Sequence, residues 1–171
     1  RKNRLVFLKS DFAFDTVSSP TDPYRVPLGL DARNGLIALA DSESNGIRLV
    51  RGENPEAMLD RLGLSSPMDV KWTPSGELLV SDWGNKRIVL ASSQGNVLRA
   101  LPLAFAPGML TLDTKGTFFV CQPHENRVQI YSNDFKPAQN ILLTNASHPR
   151  GILFHQNRLY ITAQNSHKVL I

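Results

Sequence analysis

One cysteine, Cys121, is all the chain carries, so no internal disulfide framework can hold the fold, and the composition fits a reducing compartment such as the cytoplasm. No apolar run approaches the roughly 20 residues that a bilayer-spanning helix needs. The start of the sequence does not read as a secretory leader, since RKNRLVFL runs straight into strand-like sequence. The chain opens on Arg1 rather than Met, in the middle of a repeat, and so reads as a piece of a longer or processed protein. Helical periodicity is equally scarce, with one candidate turn at Pro55-Glu56-Ala57-Met58-Leu59. No P-loop, dinucleotide fingerprint or G-x-S-x-G elbow appears, which leaves nucleotide-cradling and serine-hydrolase chemistry without a motif. Asn145-Ala146-Ser147 matches the glycosylation acceptor pattern, a three-residue match that chance readily supplies. The 19 basic residues exceed the 15 acidic ones by only four, a mild excess that admits phosphate-bearing or acidic partners without requiring them.

Proline, in contrast, is placed with regularity. Pro27, Pro67, Pro107 and Pro149 lie 40, 40 and 42 residues apart, and each opens a short apolar run (PLGLDA, PMDVKW, PGMLTLD, PRGILF). Turns at Arg33-Asn34-Gly35, Pro74-Ser75-Gly76 and Thr114-Lys115-Gly116 lead to second runs (GLIALAD, GELLVSD, GTFFVCQ), and NRLYITA is the fourth unit's counterpart. Third runs follow (IRLV, KRIVLA, NRVQIY, HKVLI), and Ser93-Gln94-Gly95-Asn96 marks a turn to a fourth strand. Several short strands repeating every 40 to 45 residues are the pattern of β-propeller blades. The fold class is therefore all-β, a propeller of four-stranded antiparallel blades. First strands are expected at 27–32, 67–73, 107–113 and 149–155. The whole of 1–171 reads as one propeller domain or fragment, with blades at 25–64, 65–104 and 105–146 and partial blades at 1–24 and 147–171. Each second strand ends on a small residue and a corner residue: Ala40-Asp41, Ser81-Asp82, Cys121-Gln122 and Thr162-Ala163. Five positions later stand Gly46, Arg87, Arg127 and Lys168, with Arg4 in the same slot of the first partial blade.

The segment Val80-Ser81-Asp82-Trp83-Gly84-Asn85-Lys86-Arg87-Ile88 resembles the V-A-D-x-x-N-x-R-I core of the NHL repeat, as found in the C-terminal propeller of tripartite-motif proteins. The resemblance is good in 65–104, fair in 105–146 and degenerate in 25–64 and 147–171. It implies that Asp82 and Arg87 form a structural latch, an ion pair within the blade. Gln122 with Arg127, and Ala163 with Lys168, depart from that pattern and imply blades held mostly by apolar packing. NHL propellers close with six blades, so the resemblance also implies about four blades' worth of a six-bladed ring; joining of the two ends into a smaller ring is the alternative.

Repeat position places Arg25, Trp83, Asn85, Lys86, His124, Asn126, His148, Arg150, Asn165 and His167 on one loop face, with Asp22, Glu43 and Glu125 as its acidic residues. The opposite face mixes Arg51, Lys115, Lys136 and Arg158 with Asp11, Glu53, Glu56, Glu77 and Asp134. Cations beside an exposed-loop Trp suit single-stranded RNA, whose phosphates need positive charge and whose unstacked bases need a flat partner. An acidic protein surface would fit the same cations, and polar loop residues without a ligand would look alike. Three histidines on this face raise the question of zinc. The amidating lyase that resembles the NHL fold holds zinc by histidines directly after the blade-opening proline, where this chain has Leu28, Met68, Gly108 and Arg150. No metal, cofactor or catalytic residue is therefore assigned to this domain. Cys121 and Trp72 read as buried packing residues. The resemblance implies a non-catalytic recognition domain, the targeting module of a RING-type ubiquitin ligase that binds RNA or a protein substrate. Its expected partners are RNA or acidic protein and further blades or domains of the full-length chain, with no membrane. The alternatives are a pure protein-interaction propeller and a metal-dependent lyase or hydrolase.

Overall fold

The computed structural model describes residues 6–8, 14–17, 24–52 and 54–171. Its strands are consecutive antiparallel sheets, arranged as the blades of an all-β propeller. Strands β1 (Val6–Leu8) and β2 (Phe14–Val17) form a hairpin. Blade A follows with β3 (Pro27–Arg33), β4 (Leu36–Asp41), β5 (Gly46–Arg51) and β6 (Asn54–Leu59). Blade B holds β7 (Pro67–Trp72), β8 (Leu78–Asp82), β9 (Arg87–Ala91) and β10 (Val97–Pro102). Blade C holds β11 (Leu110–Leu112), β12 (Phe118–Gln122), β13 (Arg127–Tyr131) and β14 (Pro137–Leu142). Blade D has β15 (Pro149–His155), β16 (Arg158–Ala163) and β17 (Lys168–Leu170). Single 3-10 turns, Pro123–Glu125 and Gln164–Ser166, are the helical segments among the described residues.

The core lies between blades rather than inside one. Residues 78–82 and 118–122 are buried at every position. With a side-chain period of two, Leu78 and Val80 face blade A while Leu79 joins Phe118, Val120 and Leu110 of blade C. Phe119 and Cys121 turn the other way, onto Ile161 and Ala163 of blade D. A second strand sandwiched on both faces is apolar along most of its length, which is why GELLVSD and GTFFVCQ do not alternate before their polar corner residues. Trp72 is 8% exposed and packs in the seam between blades A and B.

Each first strand is the inner edge of its sheet, so one row of its backbone groups finds no partner in the ladder. Side chains of the preceding blade fill that need. Asp31 Oδ2 accepts the Trp72 N–H at 2.8 Å, Asp69 Oδ2 the Leu110 N–H at 3.1 Å, and Thr111 Oγ1 the Phe154 N–H at 3.2 Å. Gly29 makes the first seam possible, since a Cβ there would stand 2.0 Å from Asp69 Oδ1. Burial raises the Asp69 carboxyl above its ordinary value, outweighing the opposing pull of Lys71, whose Nζ lies 2.7 Å from Oδ1.

Two expectations need correction. Residues 55–59 are not a helical turn but most of strand β6, an outer edge where a proline removes no ladder bond that the sheet needs. A register slip between Leu49 and Val50 accommodates it, and Met58 covers Gly46, where a Cβ would meet the Met58 methyl at 2.4 Å. The first strand of blade C is Leu110–Leu112, shorter than 107–113. Crossing continues outside the regular ladder through Gly108 N–H to Cys121 O (2.9 Å) and Cys121 N–H to Met109 O (3.0 Å). The other blades slip at the same place, after Pro27, Pro67 and Pro149, since proline brings no N–H to the ladder.

The Asp82–Arg87 latch is a complete one. Arg87 Nε lies 2.6 Å from Asp82 Oδ2, and its Nη2 donates to Leu62 O and Gly63 O at 3.2 and 2.8 Å. Asp82, wholly buried, also accepts the Ser65 N–H at 2.7 Å. Blade A has a latch that the five-residue spacing hides: Arg48, two positions beyond Gly46 and on the same side of β5, donates to Asp41 Oδ2 at 2.9 Å. Burial alone would raise the Asp41 carboxyl, yet hydrogen bonds from Val26, Arg48, Arg25 and Ser44 together hold it below its ordinary value. In blade C, Gln122 Oε1 and Arg127 Nε face across the ladder with no hydrogen-bond partner. Arg127 Nε leans instead towards Glu125 Oε2 at 3.3 Å, within ion-pair range but poorly aligned. Arg4 and its slot lie outside the described residues.

Asp82→Ala should cost about 1–3 kcal/mol of stability by leaving a guanidinium and an amide without their acceptor, read as a lower denaturation midpoint. Gln122→Asp should act oppositely, giving Arg127 the carboxylate that Arg87 has and raising the melting temperature; a lower one would show that blade C cannot desolvate the charge.

Candidate functional site

The loops joining second to third strands share a face with those leading into the first strands, and blades B, C and D converge there on a notch of about 270 Å³. One wall is a row of rings. Trp83 and His124 have centroids 5.8 Å apart at 56°, and His124 and His148 5.8 Å apart at 81°. Met68, Met109, Gly108 and Pro123 make the apolar floor, and Arg150 stands exposed on the rim. Tilted rings of this kind enclose a pocket for one group rather than presenting a continuous stacking platform.

Local folding explains the placement. Trp83 follows the buried Asp82, which fixes its backbone. The 3-10 turn Pro123–Glu125 pushes His124 out of the sheet towards Trp83, and Asn126 closes that turn in the left-handed region at φ 51°. Asn126 Oδ1 accepts the His148 N–H at 2.8 Å, tying the third ring to the second. Asn45 does the same for the Ser66 N–H at 2.8 Å in the preceding seam.

Of the residues assigned to this face, Trp83, His124, His148 and Arg150 meet in the notch. Two others turn inward: Asn85 Nδ2 donates to Gly63 O and Asp82 Oδ2, at 2.9 and 2.8 Å, and Asn126 holds the loop as described. Lys86 is exposed at φ 50° on the turn beside Trp83. Asn165 and His167 are exposed on the 3-10 turn of blade D, outside the notch lining. Arg25 is exposed on blade A, where its N–H donates to Asp41 Oδ2 at 3.2 Å. Asp22, Asp11 and Glu53 lie outside the described residues. On the opposite face Arg51 pairs with Glu56 and Lys136 with Asp134, Glu77 takes hydroxyl bonds from Thr73 and Ser75, and Lys115 and Arg158 are exposed.

Met68 and Met109 were not anticipated as lining residues. The post-proline slot was the available signal: Met68, Gly108 and Arg150 occupy it, and all three border the notch. Among the described residues no group of three or more His, Cys, Asp or Glu is placed to hold a metal ion. No helix among them is long and apolar enough to cross a membrane.

No family model matches the chain. A stretch of 105 residues is 30% identical to the Intraflagellar transport protein 122 homolog of Mus musculus, covering 56% of this chain and 9% of that protein. Among solved structures, a streptogramin B lyase superposes with a TM-score of 0.73 at 18% identity, over 89% of this chain and 53% of that one. Virginiamycin B lyase from Staphylococcus aureus with quinupristin gives 0.69 at 16% identity, over 99% and 58%. Likeness at such identities shows the propeller fold and nothing finer. The chain spans little more than half the length of these structures and a tenth or less of the mouse protein. None of these likenesses is to an NHL-repeat or tripartite-motif protein, and the NHL pattern remains a resemblance of residues 80–88.

Cys121 is fully buried behind the notch floor, and burial, helped by the negative charge of Asp69, pushes its thiol up to about 12. In the folded protein at pH 8 it should resist alkylation for hours and react at once after denaturation; rapid native labelling would mean that the seam between blades C and D opens.

Proposed function

We propose that the chain is a non-catalytic recognition propeller that holds a protein partner on its loop face, with the ring-walled notch as the anchor point. The notch carries this reading: one pocket with a methionine and proline floor suits a single inserted side chain, and methionine surfaces adapt to what enters. The one cysteine has its thiol turned away from nucleophilic chemistry by burial. The propeller fold itself is consistent with protein interaction. Role as the targeting module of a RING-type ubiquitin ligase is the context that the NHL resemblance offers for such a partner, and it belongs to this proposal.

Single-stranded RNA is the second reading, favoured by one observation: exposed Arg150 lines the same notch as Trp83, and exposed Lys86 shares the Trp83 turn. The two separate in one experiment. A photo-crosslinking amino acid at Lys86 should yield adducts with polypeptide that survive ribonuclease, and the same group at Lys115, on the opposite face, should not. Adducts lost to ribonuclease, with an RNA affinity tighter than the nonspecific range of about 10⁻⁴ to 10⁻⁶ M, would replace protein by RNA. RNA binding would then weaken with rising salt, by about one unit of slope less for each cation removed at Lys86 or Arg150.

A further inference from the structure

Resting on the protein-recognition reading, we infer that the notch takes a large apolar side chain from a peptide segment whose flanking residues carry carboxylates. Floor and rim make different demands. Met68, Met109 and Pro123 offer an apolar surface that a hydrophobic side chain would cover, removing both from water. Arg150 stands at the mouth, and no carboxylate is among the lining residues. Glu125, on the turn that supplies Pro123 and His124, is not among the lining residues and lies 3.3 Å from Arg127 Nε, within ion-pair range. Lys86 adds a second cation on the turn beside Trp83.

A ligand that covered this rim with neutral groups would strip water from a guanidinium and return nothing, whereas a carboxylate beside the anchor returns a charge-assisted pair. A basic segment would meet like charge from Arg150 and Lys86. The imidazoles of His124 and His148, which line the same notch, can each donate a hydrogen bond to a carboxylate. An apolar anchor between acidic neighbours is the peptide chemistry that satisfies floor and rim together.

The probes are fluorescein-labelled hexapeptides with a central Trp, Leu or Ala, flanked on each side by Asp, Asn or Lys. Anisotropy on the folded chain should show the Asp-flanked Trp or Leu peptides binding about tenfold tighter than their Asn counterparts and than the Ala-centred peptide. Arg150→Gln, at an exposed position that leaves folding intact, should bring Asp-flanked peptides down to the Asn level. Trp83→Ala, checked for folding by its melting curve, should erase the preference for a large anchor. Equal affinity for Asp and Asn flanks, equal affinity for Ala and Trp centres, or no binding by any peptide at about 1 mM protein overturns the inference. If crosslinks from position 86 to polypeptide persist alongside such a result, partner recognition stands and this notch chemistry alone falls; if they vanish too, both fall.

Discussion

Asp82 accepts hydrogen bonds from the Ser65 amide, the Asn85 side chain and the Arg87 guanidinium at a position water does not reach, and the loop face is organised around it. A buried carboxylate is costly to desolvate unless every lone pair is used, so the groups that satisfy it are held as firmly as it is. Those groups come from three places: the loop entering the blade, the turn leaving β8, and the start of β9. Fixing all three at once fixes Trp83, which sits between the carboxylate and the turn. Asp41 plays the same part in blade A, with Val26, Arg25, Ser44 and Arg48 as donors. Its carboxyl lies below its ordinary value, so this stabilisation is full above the unfolded-state value and is lost as pH falls through the folded one.

Blade C solves the same corner differently, and the notch follows from that. Gln122 brings no charge, Arg127 turns towards Glu125, and the chain takes a 3-10 turn at Pro123 where blade B has a turn closed by the Lys86 N–H on Trp83 O at 3.1 Å. The turn carries His124 towards Trp83, while Asn126 assumes the loop-holding task for His148. Losing one latch therefore goes with gaining one wall of the pocket. Buried polar atoms left unpartnered at Gln122 and Arg127 are the local cost of that exchange.

Architecture was legible because repeat spacing and period-two strands are written in residue types alone. Proline marks each first strand, and doubly buried second strands are apolar up to their corner residues whatever the neighbouring blade. Seam chemistry was not legible: Asp31, Asp69 and Thr111 meet backbone groups more than 40 residues away, and nothing local distinguishes them from exposed polar residues. Asn85 and Asn126 show the same blindness on the loop face, since an amide in a turn reads alike whether it points to solvent or to the protein. Arg48 escaped because a fixed five-residue offset ignores that a strand returns to the same side every second residue. Methionines 68 and 109 sit in strand-like runs, where an apolar residue suggests core rather than a pocket floor.

Counting charge by face rather than by chain changes what the surplus of +4 means. Arg87 is committed to Asp82, Arg48 to Asp41, Arg127 to Glu125, and Lys168 Nζ donates to Asn145 O at 3.0 Å. On the other face Arg51 and Lys136 are neutralised by adjacent acids. Arg150 remains an exposed cation on the notch beside rings and thioethers, and Lys86 an exposed one on the turn that carries Trp83. On the proposed reading, so few cations near an apolar floor suit a compact, amphipathic anion better than a long polyanion, whose affinity would rest on many evenly spaced charges. The latches that build the loop face take up Arg48 and Arg87, so the ligand proposed for that face is left to cations outside them.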